Sequence, residues 1–335
     1  MAETLELIDG FDDYSGATDI QNGGWSGGTP SSPAGNIAGL AVQPSSNTAI
    51  NHAYTADAYC HPMWYWRTTN AVTAGTVWRA FESATEHLRL VYNGDGTFTF
   101  SRAGTTVGTT PTSANLGIVS NTWYHIEILA RCHDTLGQYD VYVNGALACT
   151  GGGSALDTRN GGTAGTPNSC SLGQSGTAFG YDDFAQYRGT PMVQKGQARV
   201  ITKLPTGDGA NTGWTAVGAA ADWQCVDENP NTGDTDYISS STLNQRDSFT
   251  FPALGVTGTV LGVGVTMVAR KDDAGARSIR GHTRVAATDY DGPADLTLAT
   301  TYAVYQHLWE TNPNTGVAWT VGGVDGAEFG VKLTA

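Results

Sequence analysis

The sequence predicts an all-β protein made of two β-sandwich domains in tandem. Three observations carry this. Apolar residues alternate with polar ones along many short segments, while the spacing of an amphipathic helix is almost absent. Turn formers punctuate the whole chain: Gly alone supplies 44 of 335 residues, and Gly and Asn reach positive φ at low cost. The length suits two domains of ~100–200 residues, each large enough to bury a core.

In chain order, a strand-like run opens at Tyr59 and contains Trp64-Tyr65-Trp66. Residues 78–84 (WRAFESA) read equally well as helix or strand. Arg89-Leu90-Val91-Tyr92 and Thr97-Phe98-Thr99-Phe100 flank Asn93-Gly94-Asp95-Gly96, a hairpin signal. Trp123-Tyr124-His125-Ile126-Glu127-Ile128 alternates in the same way, and residues 138–143 (QYDVYV) are closed by the turn Asn144-Gly145. Long hairpin-linked strands with one buried face fit a sandwich. Residues 151–176, rich in Gly, Thr, Asn and Ser, are expected to form a long exposed loop. The Pro and Gly punctuation of 189–196 reads as a linker, placing the domains at 1–194 and 195–335. In the second domain residues 198–204 open the chain and 327–333 close it. Its longest strand is expected at 259–270, with Val263, Val265 and Met267 on one face.

Composition excludes several classes of function. The net charge is −14 and only four residues are Lys, so no basic cluster exists to neutralise phosphates and nucleic acid is not an expected partner. No apolar run reaches the ~18 residues of a membrane-spanning helix, so no membrane insertion is expected. The N-terminal Met1-Ala2-Glu3-Thr4-Leu5-Glu6 lacks a basic and then apolar leader, so no standard secretory signal is expected. The five Cys at 60, 132, 149, 170 and 225 show no metal-ligand spacing and are expected to be buried, reduced thiols. Cys132 and Cys149 form the one pair to check for a bridge.

Few residues offer chemistry. Gly24-Trp25-Ser26-Gly27-Gly28 matches the pattern of a nucleophile elbow, but Thr29-Pro30-Ser31-Ser32-Pro33 cannot start the helix which that elbow needs. A sandwich glycosidase needs two carboxylates facing one cleft, and Glu6-Leu7-Ile8-Asp9 has the wrong spacing for it. No catalytic residue is therefore assigned. Asp12 and Asp13 near the chain start could meet Asp182 and Asp183 if their strands pair, giving enough oxygens for a structural calcium. The plainer reading is that these aspartates bond turn backbone. The acidic loop 227–236 has no EF-hand register and reads as a solvated turn. Trp64 and Trp66 share one strand face, which makes them either a glycan-stacking pair or sandwich core. No other cofactor is implied.

Three segments of the first half resemble the laminin-G/concanavalin-like jelly-roll superfamily. They are residues 121–128 (NTWYHIEI), 139–145 (YDVYVNG) and 179–184 (FGYDDF), with Ile8-Asp9-Gly10-Phe11-Asp12-Asp13-Tyr14 resembling the first strand, which pairs beside the last. The resemblance implies a jelly-roll-like sandwich and leaves function open, because lectins, adhesins and glycosidases share that fold. In the second half, residues 200–209 (VITKLPTGDG), Arg270-Lys271-Asp272-Asp273-Ala274-Gly275, 302–313 (YAVYQHLWETNP) and 315–329 resemble the C-terminal part of tailed-bacteriophage virion structural proteins. This implies a non-catalytic protein at the virion surface, decorating the head or attached to the tail, synthesised and assembled in host cytoplasm. Its partners would be other virion proteins and its own copies, with weak multivalent adhesion to host surface glycans. The rival reading is a glycan-binding adhesin, and a jelly-roll glycosidase is the third.

Overall fold

The computed structural model describes residues 2–335 except 13, 15–20, 22, 28–34, 37–39, 45–48, 153–154, 162–163, 174–178 and 230. The chain divides into two compact units, Met1–Val200 and Ile201–Ala335.

The first unit is a two-sheet sandwich. One sheet runs, in spatial order, β1 (Thr4–Asp9), β13 (Phe179–Arg188), β4 (Tyr59–Thr68), β9 (Tyr124–Arg131), β10 (Gln138–Val143) and β11 (Ala146–Gly151). The other runs β2 (Trp25–Ser26), β3 (Ile50–Ala53), β12 (Ser169–Leu172), β5 (Gly75–Glu82), β6 (Thr85–Tyr92), β7 (Phe98–Arg102) and β8 (Thr105–Thr106). Alternation decides which residues meet between them. Trp64, Trp66, Ile126, Ile128, Val141 and Val143 point inward from the first sheet. Trp78, Leu88, Leu90, Tyr92, Phe98 and Phe100 answer from the second. The rings interlock, with Trp66 5.1 Å from Phe179 and 5.3 Å from Phe98, and Phe100 stacked on Tyr139 at 4.1 Å.

The turn chemistry is as expected. Asn144 and Gly145 both take positive φ (50° and 82°), as a two-residue connection between β10 and β11 requires. The 93–96 turn joins β6 to β7, with Tyr92 opposite Phe98. The ambiguous residues 78–84 belong to β5 and the turn after it.

Two expectations are corrected. The supposed loop 151–176 ends in β12, which lies between β3 and β5 and buries Cys170 and Leu172. Its small polar residues hid a strand because neighbours on both edges supply the pairing that composition cannot reveal. The supposed linker is also different. Residues up to Val200 belong to the first unit, so the boundary after 194 moves to Val200.

The second unit has one larger sheet in the order β14 (Gly207–Thr212), β17 (Arg246–Thr250), β23 (Glu328–Leu333), β19 (Ser278–Val285) and β20 (Thr288–Asp291), with β21 (Leu296–Thr297) also on β19. Its second layer consists of two ribbons, β15 (Thr215–Val217) with β16 (Tyr237–Ser239), and β18 (Val263–Ala269) with β22 (Ala303–Trp309). Val263 and Val265 pack with Phe329 and Trp319, and Met267 packs with Ile279, Val331 and Leu333. The face expected for Val263, Val265 and Met267 is thus the inward one. Among the described residues helix is scarce, with a 3-10 turn at Asp222–Cys225 and a five-residue helix at Val321–Asp325 in the second unit, whose Thr320 cap accepts from the Gly323 amide.

Candidate functional site

Trp64 and Trp66 are both 0% exposed, so the glycan-stacking role is corrected to core. The parity that puts them on one face is right, but that face is the one pressed against the second sheet, and a buried ring has no face left for a sugar. Tyr65 occupies the other face, under the Arg199 guanidinium at 5.1 Å.

β1 and β13 do pair, which brings Asp12 toward Asp182 and Asp183; Asp13 lies outside the described residues. The aspartates near them serve the backbone. Asp182 accepts from the amides of Asn36 (2.6 Å) and Asp183 (2.9 Å), Asp12 from Leu40 (3.1 Å), and Asp183 from Val200 (3.0 Å). Asp9 accepts from the Phe11 amide, the Tyr14 hydroxyl and the Trp25 indole at 2.7–2.8 Å. Burial, then repulsion from Asp183, pushes the Asp182 pKa up to about 8, and burial pushes Asp183 and Asp9 up to about 6. Among the described residues no group of three or more His, Cys, Asp or Glu is arranged to hold a metal ion. The described carboxylates of the set each accept backbone N–H groups, which is the use expected of turn and chain fixation.

A third cluster was not read from the sequence. With Trp64, Ile126 and Ile128 inward, His61, Met63, His125 and Glu127 must point outward from β4 and β9, and all four are nonetheless buried. The stretch after β13 covers them. Glu127 accepts from the amides of Lys195 (2.5 Å) and Gly196 (3.1 Å). His61 lies between two carboxylates, its Nδ1 2.5 Å from Glu3 and its Nε2 2.8 Å from Glu127. Lys195 closes the group with an ion pair to Glu3 at 2.6 Å. Burial opposes the His61 charge, but hydrogen bonds to Glu127 and Glu3 outweigh it and hold its pKa above the usual value. Burial likewise opposes the Glu3 charge, and His61 and Lys195 hold its carboxyl below the usual range. Neighbouring His125 has no hydrogen bond at either ring nitrogen, and burial lowers its pKa to about 4. The signal for this cluster was outward parity of His and Glu on two strands. What was missing was the pairing of β4 with β9.

The remaining candidates are structural. Ser26 lies in β2 and donates to the Asn51 carbonyl, which is no nucleophile geometry. All five Cys are free and buried, with Cys132 donating to the Thr158 carbonyl and Cys149 to the Phe98 carbonyl. In the second unit Arg246 holds Asp291 through two nitrogens (2.9 and 2.7 Å), and Lys332 joins them at 2.7 Å. In the acidic loop Asp234 receives Arg270 at 2.9 Å and the Tyr302 hydroxyl at 2.7 Å.

Together these features define an all-β protein whose described ionisable clusters fasten chain segments to sheets. No family model and no curated protein matches the chain. Among solved structures it is similar to a carbohydrate esterase of the Shiga toxin-encoding bacteriophage phi24B, with 10% identity over 56% of this chain and 100% of that one, at a TM-score of 0.38. It is similar to the carbohydrate-binding module CBM66 from Bacillus subtilis, with 11% identity over 49% of this chain and 95% of that one, at a TM-score of 0.33. It is also similar to a sialidase from Trypanosoma rangeli, with 13% identity over 48% of this chain, at a TM-score of 0.32. The chain spans 28% of that sialidase's length.

Proposed function

We propose that this chain is a non-catalytic structural protein on the surface of a tailed-phage particle, on the head or attached to the tail, with weak multivalent glycan adhesion as an accessory property. The observation that carries the non-catalytic part is the use made of the buried acids. Asp9, Asp182, Asp183 and Glu127 each accept N–H groups from neighbouring chain, as fasteners do. A glycosidase instead keeps one acid and one base facing a cleft. The particle assignment rests on the resemblance of the second half, and low charge suits a surface covered by neighbouring copies.

Purified particles should contain the chain in stoichiometric amounts and expose it to antibody. Its absence from particles, together with polysaccharide turnover abolished by replacing one Asp or Glu, would overturn the proposal.

The second reading, a glycan-binding adhesin, gains from one residue. Trp123 is a half-buried aromatic near the outward face of the β4 sheet, with the Arg67 guanidinium 4.8 Å from its ring. Such a pair can hold a sugar ring by stacking and hydrogen bonding. On this reading monomeric affinity is about millimolar and Trp123→Ala abolishes it.

A further inference from the structure

Residues 191–200 carry the chain out of the first unit, and they lie across the outward faces of β4, β9 and β13. They belong to no strand. Their hold is polar and comes from several places. Lys195 and Gly196 donate backbone N–H to Glu127 on β9, and Val200 donates to Asp183 on β13. Gln194 and Gln197 donate to the carbonyls of Gly145 and Asn144 at the β10–β11 turn. Arg199 lies over Tyr65 on β4, and the Lys195 ammonium lies 4.8 Å from the Tyr187 ring on β13.

We propose that this strap is a detachable latch: it closes over the sheet while His61 bridges Glu3 and Glu127, and it lifts off, with both units still folded, when that bridge is broken.

Two features make it detachable. The strap has no ladder of its own, and Pro191, Val193, Gln194, Gln197 and Arg199 are exposed, so little apolar surface holds it down. The sheet beneath has its own core on the opposite face, made without any residue of the strap.

The geometry makes His61 the key. A ring with carboxylates at both nitrogens can donate to both only as an imidazolium. The groups that face it are Glu3 ahead of β1, Glu127 and His125 on β9, Tyr187 on β13, and Lys195 on the strap through Glu3. Loss of its proton leaves Glu3 and Glu127 facing a neutral ring with one ammonium between them. Because the folded pKa of His61 is raised, its contribution is complete below the ordinary value and is lost as pH rises through the raised one. That of Glu3, whose pKa is lowered, is present above the ordinary carboxylate value and is lost as pH falls through the lowered one. The latch is closed between those two titrations and opens as pH rises through that of His61.

Trypsin reads the latch directly, because Lys195 and Arg199 are cleavage sites within the strap and a docked segment cannot enter a protease. With the full chain at pH 7, cleavage there should be at least about tenfold slower than in a free peptide of residues 189–203, and it should accelerate by up to about tenfold per unit of pH between the ordinary imidazole value and the raised one of His61, then level off no higher than the peptide rate. His61→Gln should be cut fast at pH 7 while calorimetry still records the unfolding of both units. Gly196→Pro opens the latch from the strap side without touching the sheet, since Gly196 has φ 79° and its amide serves Glu127. It provides the same reading if His61→Gln fails to fold. The proposal is overturned by cleavage at the peptide rate at pH 7, by wild-type protection in both variants, or by acceleration that appears only as a unit melts.

Discussion

Replacing Asp247 by asparagine isolates the cost of one buried charge in the second unit. Asp247 lies on β17 opposite Val331 and is fully buried, and no hydrogen bond of good geometry reaches its carboxylate, only loose approaches from the Trp214 and Ser248 amides. Burial, and then repulsion from Asp222, pushes its pKa up to about 7, with the Trp214 and Ser248 amides easing the charge only in part. An unfolded aspartate ionises near pH 4. The unfolded chain therefore releases this proton first, and stability falls as pH rises from about 4 to about 7, then levels off. At ~1.4 kcal/mol per pKa unit, the penalty at pH 8 is about 2–4 kcal/mol once residual solvent screening is allowed for. Asp247→Asn removes the slope but leaves a buried amide to satisfy, at a cost of ~1–3 kcal/mol. The variant should be less stable than the natural chain at pH 4 and more stable, or equal, at pH 8. Calorimetric melts between pH 4 and 8 test this, with the second-unit transition assigned by hydrogen exchange at the Phe249 and Val331 amides. An unchanged pH slope in the variant would refute the reasoning.

Two further outcomes follow from the core. Trp66→Ala removes a ring packed against Tyr92, Phe98, Tyr124 and Phe179, so it should cost the first unit about 3–5 kcal/mol in denaturant titration, with glycan binding altered only through that loss. Alkylation without reductant should label five thiols in denaturant and almost none in the folded chain; three labels in denaturant would reveal a disulfide instead.

Local patterns in the sequence were reliable where the physics is local. Asn144-Gly145 needs only its own positive φ values to make a turn, and Trp64 and Trp66 need only a period of two to share a face. Which face was core could not be read from that period, so the stacking role for this pair was open until the second sheet was placed over it. β12 was hidden for a related reason. Ser169-Cys170-Ser171-Leu172 has no strong strand signal, and its place depends on β3 and β5, from residues 50–53 and 75–82.

By itself, then, the sequence determined the all-β class, the hairpins and the shared face of Val263, Val265 and Met267, because each follows from neighbours a few residues apart or from composition. Tertiary structure alone decided that Glu3, His61, Glu127 and Lys195 meet, that a stretch with the look of a linker is strapped to a sheet, and that Asp247 is buried with no hydrogen bond of good geometry at its carboxylate. Those outcomes depend on strand order and on burial, which bring together residues that are distant in the chain and set the dielectric around them.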